Sequence, residues 1–252
     1  MTALKTCFAP VVGSVRNLVM SVTTANAAAT LTADEIIVET ALGGLPFKLS
    51  NFNKTINLAT TGAGGMDTGT APVSGYVALY AIYNPTTGTA SLLATNATSV
   101  VAPNVYGGAN MPSGYTASAL VSVVPTNSSS QFAICKQRDR SIKISQANVF
   151  STTTNTPTPT NFSLVGTVPP NAIAISGAQQ IGSTAAATSS AQLYSDASNV
   201  GNDPAIFTSG SSGTATFSFR DVLLASQQTT RYSASTNAGT LSYVIFITGY
   251  TF

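Results

Sequence analysis

The chain has no histidine and no tryptophan, and only two of its 252 residues are cysteine. Without histidine there is no Ser-His-Asp or Cys-His relay, and no imidazole to hold a metal. Charge is scarce as well. Asp, Glu, Lys and Arg make up 7% of the chain, against roughly 25% in an ordinary globular domain. Ten basic residues against eight acidic ones leave a formal net charge of +2. That is too little for a protein whose affinity rests on neutralising phosphates, so nucleic acid is not an expected partner. No apolar run reaches the ~18 residues of a membrane-spanning helix, so no membrane insertion is expected. Disorder is excluded by the opposite balance. Hydrophobic residues make up 44%, with a mean hydropathy of +0.25, whereas disordered chains pair low hydrophobicity with high net charge.

The two cysteines, Cys7 and Cys135, lie far apart in the sequence. Spacing alone does not show whether they meet. A chain of this length buries a large core without a covalent staple, so free thiols are expected. Lys5, an apolar stretch and Ala25-Asn26-Ala27 have the outline of a signal peptide. Arg16 and Asn17 interrupt that stretch, and Pro10 and Gly13 fall inside it, so cleavage is not expected.

What the chain does have is Ser, Thr and Asn, together with 20 Gly and 12 Pro. It is rich in turn formers and carries no sustained 3.6-residue periodicity. Short β-branched and aromatic runs recur between Gly, Pro and Asn turns. Strands are expected at Glu35–Glu39, Phe47–Leu49, Thr55–Ala59, Gly75–Tyr83, Thr89–Ala94, Ala117–Val124, Gln131–Lys136 and Ser141–Ile144. In the second half they are expected near Phe162–Gly166, Ala172–Ile175, Ala191–Tyr194, Thr214–Phe219, Thr230–Ala234 and Leu241–Thr251. Both faces of Gly75–Tyr83 are apolar, which marks a central strand covered on each side. Asn84-Pro-Thr-Thr-Gly88 reads as the turn of a hairpin, and Gln137–Arg140 as the tip of another. Ala25–Thr32 reads as a short helix or an extended arm, Gly62–Gly65 as part of a mobile loop, and Thr152–Thr160 as a linker or long surface loop. The expected fold is all-β, an antiparallel β-sandwich or jelly roll with an N-terminal extended arm. Residues 1–40 form the arm and 41–252 the sandwich, with a subdivision at 151–160.

No catalytic constellation emerges. The serines have no base, and no Ser-x-x-Lys spacing is present to replace one. The acids are Asp34, Glu35, Glu39, Asp67, Asp139, Asp196, Asp203 and Asp221. Glu35 and Glu39 share a strand face about 13 Å apart, too far for a glycosidase pair. Asp196–Asp203 has oxygen ligands and a glycine in the order of a calcium loop, but Phe207 stands where the closing acid belongs. It reads as a plain turn. No metal, cofactor or enzymatic activity is therefore expected. Lys136, Arg138, Arg140 and Lys143 place four of the ten basic residues within eight positions. They suit a solvated hairpin tip, a contact between subunits, or an anionic ligand.

Ile56–Gly69, the aromatic strand Tyr76–Tyr83, the turn Asn84–Gly88, then Pro112-Ser-Gly-Tyr115 and the Gln137–Arg140 hairpin follow one another in order. This succession resembles tail-fibre and related virion proteins of tailed bacteriophages. The ending Val244–Phe252 looks like the closing strand of such proteins. The resemblance spans roughly residues 45–150, and more loosely 160–252. It implies a β-sandwich virion component, a homotrimer attached to other virion proteins through residues 1–40, with no catalytic motif. The chain has no long coiled-coil or β-helical shaft. A receptor-binding tail tip, a baseplate part and a capsid decoration protein all remain open, and a polysaccharide depolymerase is disfavoured by the scattered acids.

The leading expectation is a trimeric tail component in the virion that touches a host-surface glycan. Tyr106, Tyr115, Tyr194, Asp196, Asn199 and Asp203 are the candidate glycan contacts, since tyrosine rings stack on sugars while amides and acids bond their hydroxyls. The alternative for each tyrosine is core or subunit packing. Lys136, Arg138, Arg140 and Lys143 are the candidate intersubunit contacts.

Overall fold

The computed structural model describes residues 10–252. Cys7 and the part of the expected arm ahead of Pro10 lie outside the described residues. Every regular element among them is a β-strand, and all pairings between these strands are antiparallel. No helix of the described residues is long and apolar enough to cross a membrane. The chain divides into two compact units, one running to Asp139 and one from Arg140 to Phe252.

The first unit holds β1 (Val15–Arg16), β2 (Val19–Val22), β3 (Ala28–Glu39), β4 (Pro46–Asn57), β5 (Tyr76–Asn84), β6 (Thr89–Asn96), β7 (Ala117–Pro125) and β8 (Cys135–Arg138). β3 is its spine. One edge takes β4 along nearly its whole length, from Ala28↔Asn57 to Glu39↔Pro46. The other edge takes β2, then β1, then at Glu39 the start of β7. β5 pairs with both β7 and β6, and β8 pairs with β2. Eight of the nine β5 residues are buried, as the two apolar faces of Tyr76–Tyr83 require. Asn84 builds the following turn. Its side-chain oxygen accepts the N–H groups of Thr86 and Thr87, and Gly88 closes it at φ 69°.

Two expectations change in this unit. The segment from Ala28 is not a helix: it opens β3, because Ala29, Leu31 and Ala33 alternate inward and bury. Between Val15 and Glu39 the chain passes through β1, β2 and β3, each paired within the unit. The Gly62–Gly65 loop is not loose. Gly64 donates to Leu92 O, Ala94 donates to Gly65 O, and Asp67 donates to Ala94 O, so the loop is fastened along β6 with Met66 buried. Gly65 is required there, since a Cβ would sit 2.4 Å from Thr60 O.

The second unit holds β9 (Ser141–Thr152), β10 (Thr156–Ser163), β11 (Ala174–Ser183), β12 (Ala187–Tyr194), β13 (Asp203–Ser209), β14 (Gly213–Leu223), β15 (Thr229–Thr236) and β16 (Leu241–Thr251). One sheet runs β14-β11-β16-β9 and the other β10-β15-β12-β13. Every connection but β12–β13 passes from one sheet to the other. This interleaving of eight strands is a jelly roll. Phe150 and Tyr243 from the first sheet meet Phe162 and Tyr232 from the second. Ring centroids lie 4.5 Å apart for Phe150–Tyr232 and 5.8 Å for the stacked Tyr232–Tyr243 pair. Such aromatic contacts hold the two layers face to face.

The predicted linker at Thr152–Thr160 is corrected by this unit. Thr156 opens β10, an edge strand on β15, and the division of the chain falls after Asp139 instead of at 151–160. Between Thr156↔Ala234 and Thr160↔Tyr232 the register slips, and the slip contains Pro157 and Pro159. Proline is tolerated at a sheet edge and within a bulge, where its missing N–H costs no ladder bond. Arg231 holds the bulge by donating to Pro159 O at 2.9 Å and Asn161 Oδ1 at 3.0 Å.

Candidate functional site

Two of the three tyrosines expected to stack on sugar are interior residues. Tyr106 is buried with its ring edge-on to Tyr80, centroids 5.5 Å apart. Its hydroxyl donates to Asp67 Oδ2 at 3.0 Å and accepts the Asn110 N–H at 3.1 Å. Burial and the Asp67 carboxylate raise its pKa, although the N–H of Asn110 works the other way. The Tyr106 loop is thereby tied to the Gly-rich loop, and no ring face is left for a ligand. Tyr194 is buried in the jelly roll, where its hydroxyl donates to Gln192 Oε1 and lies 3.1 Å from Ser233 Oγ. Tyr115 alone of the three is part exposed, on a turn in which its N–H donates to Pro112 O.

Asp196, Asn199 and Asp203 belong to one connection. Asp196 Oδ1 accepts the N–H groups of Ser198 and Val200, and Asn199 sits exposed in the left-handed region at φ 62°. Asp203 starts β13, and partial burial raises its carboxyl pKa above the ordinary range. These bonds describe an Asx turn, with the Asp196 carboxylate spent on backbone. Among the described residues no three His, Cys, Asp or Glu side chains come together.

Several other acids are likewise committed locally. Asp34 accepts from Asn17, Glu35 pairs with Lys48 at 3.4 Å, and Glu39 accepts the Gly43 N–H. Asp139 turns the chain at φ 50°, and its Oδ1 accepts the Leu18 N–H.

The four clustered basic residues do not act as one group. Arg138 donates to Asn17 at 2.7 Å and lies 3.9 Å from Asp139. Arg140 lies over the Phe252 ring at 5.0 Å, and burial lowers its pKa. Lys136 and Lys143 are exposed. Cys135, next to this stretch, is buried and free, and burial pushes its thiol up to about 12.

One surface feature was not revealed by sequence patterning. An open groove of about 820 Å³ lies on the jelly roll's β14-β11-β16-β9 sheet. Three neighbouring pairings slip at the same level. Ile175 pairs with Val222 and Gly177 with Phe219, so Arg220 and Asp221 both face Ser176. Ser176 pairs with Gly249 and Gly177 with Ile247, which leaves Thr248 as an extra residue. Gly249 pairs with Lys143 and Ile247 with Ala147, so the third slip adjoins the second. Aligned bulges bend all four strands together and open a hollow between them.

Two glycines are obligatory at these slips. A Cβ on Gly177 would lie 1.9 Å from Phe246 O, and one on Gly249 would lie 2.5 Å from Ile142 O. Asp221 takes a left-handed φ of 53°, and its N–H donates to Ser176 Oγ at 3.2 Å. Thr248 donates to Ser176 O at 3.3 Å. Lys143, Arg220 and Asp221 line the rim with Ser218 and Thr251. The only sequence signal was Lys143, read as part of the basic cluster. The register slips that bring β14 and β16 to it depend on partners far away in the chain. Compared with known proteins, the chain matches no family model and no curated sequence.

Proposed function

We propose that this chain is a non-enzymatic structural protein of a tailed-bacteriophage virion, a homotrimeric tail-fibre or tail-tip component that contacts the host cell surface. The observation that carries the reading is the eight-stranded jelly roll with a polar, bulge-shaped groove on one sheet. Jelly rolls recur in viral capsid and lectin domains, so the architecture suits assembly and glycan contact; the argument from fold alone is an analogy. The groove adds the specific support. Its polar lining is hydroxyls, the cations Lys143 and Arg220 and the single carboxylate of Asp221, groups that bind by contact, while Asp67, Asp139 and Asp196 hold loops and turns in place. The succession of loop, aromatic strand and Asn-Pro turn supports the virion assignment. Attachment to other virion proteins is assigned to residues 1–40. Scarce charge favours self-association, because identical subunits repel each other little.

The experiment is a copy-number measurement on purified particles together with adsorption of the labelled protein to host cells. Tens of copies per particle, saturable adsorption and a solution mass of three 25.6 kDa chains are the expected results. Hundreds of copies without adsorption would instead make it a capsid decoration protein. Release of reducing ends from host polysaccharide would make it a depolymerase.

A further inference from the structure

We infer that the groove between Lys143, Arg220 and Asp221 is a binding site for an anionic saccharide. This deepens the host-contact reading and rests on it for its biological role, but the chemistry is argued from the groove itself. Lys143 and Arg220 project from β9 and β14 to the same hollow, and both are exposed. Among the described residues neither forms an ion pair; the pairs that form are Lys48–Glu35 and Arg138–Asp139, both elsewhere. Two uncompensated cations against one carboxylate make the hollow locally positive in a chain with little other charge. That favours a ligand bearing carboxylate or phosphate, and Arg offers its planar fork for bidentate contact.

Asp221 decides between an inorganic anion and a sugar. A bare phosphate gains nothing from a carboxylate beside it. A saccharide does, because its hydroxyls donate to the two oxygens of Asp221 while its acid group meets Lys143 and Arg220. The Ser218 and Thr251 hydroxyls on the rim extend the same pattern of short-range donors and acceptors. Gly177 lines the floor between Ser176 and Phe219, and the neighbouring backbone packs too closely around it to admit a Cβ. The volume is within the range of small-molecule clefts, and the open rim admits units of a chain rather than a sealed metabolite.

The test is titration of the full chain with three probes: polygalacturonate fragments, a sugar phosphate and neutral dextran fragments of matched length. The expected result is at least tenfold tighter binding of one of the anionic probes than of dextran, weakening as salt rises. Whichever anionic probe binds identifies carboxylate or phosphate as the recognised group. The double variant Lys143→Gln/Arg220→Gln should lose tenfold or more of that affinity with an unchanged unfolding midpoint, since both side chains are exposed. Asp221→Asn should weaken the anionic saccharide probe, while inorganic phosphate, titrated as a control, binds no more weakly than to the wild type. Equal affinity for dextran, or unchanged affinity in the double variant, overturns the site. Adsorption to cells separates the two claims. If the wild type binds the anionic probe but adsorbs to no host cell, the groove stands and the host-contact reading falls. If adsorption survives in the double variant after probe binding is lost, the groove is a saccharide site but not the host-contact point.

Discussion

Single residues in this protein are constrained mainly by what lies within one bond of them. Gly177 is the sharpest case, with no room for a methyl group beside the Phe246 carbonyl. Gly177→Ala should cost about 3 kcal/mol through forced backbone displacement, read as a lowered denaturant midpoint. Cys135 is constrained by solvent access. Its thiol pKa near 12 leaves almost no thiolate at pH 8. In a Cys7→Ser background, Cys135 should be inert to a thiol-specific chromogenic disulfide until denaturant is added; fast reaction of the folded protein would contradict its burial. Asp203 is constrained by partial desolvation, which raises its folded pKa. The folded state then holds the proton at a pH where the unfolded state has lost it. Its contribution to stability is present at low pH and is lost as pH rises through the unfolded and then the folded value. Asp203→Asn should flatten that part of the midpoint-versus-pH curve, from the ordinary aspartate range upward.

At the scale of elements, buried polar side chains set which strands lie next to which. Gln137 on β8 is fully buried. Its Nε2 donates to Val121 O and Asp139 O at 2.8 Å each, and its Oε1 accepts from Ser122 Oγ at 2.6 Å. It thus joins β8 to β7, strands that share no ladder in the register. Gln137→Leu keeps the volume but leaves those groups unpaired, and should cost about 3 kcal/mol in chemical unfolding. The jelly roll has a matching device. Tyr243 Oη donates to Gln179 Oε1 at 2.7 Å, and Gln179 Nε2 donates to Asp203 O at 3.1 Å, linking β16, β11 and β13. Edge strands are handled by proline. Pro157 and Pro159 on β10 and Pro204 on β13 stand on the two edges of one sheet, where missing N–H groups discourage a foreign strand from adding.

For the whole molecule, the division after Asp139 is the property with the plainest consequence. The jelly roll packs two four-strand layers around its own aromatic core. A fragment of residues 140–252 should therefore fold alone, giving a β-type circular dichroism spectrum and one cooperative melt. A featureless melt would show that its core needs the first unit. The expectations that survived at this scale were those that rest on pattern. The clean alternation of Leu241, Tyr243, Ile245 and Ile247 against Ser242, Val244, Phe246 and Thr248 gave β16 its bounds and its inward face. The Asn84–Gly88 turn and the doubly apolar β5 were equally legible. Expectations resting on a residue's usual habit did less well. Prolines suggest a linker or long surface loop at Thr152–Thr160 where the structure has a sheet edge, and for Tyr106 and Tyr194 the structure favours core packing over the glycan contact, each hydroxyl having a partner within the protein.

The sequence by itself determined that this is an all-β protein and, for strands such as β5, β7 and β16, where they run and which faces they bury, because alternation and turn chemistry act between neighbours in the chain. It did not determine the jelly-roll order, the boundary at Asp139 or the groove on β14-β11-β16-β9. Those depend on which strand lies beside which and on slips of register between residues as distant as Lys143 and Gly249. Such slips leave no local mark, since an extra residue in a strand is extra only relative to its partner.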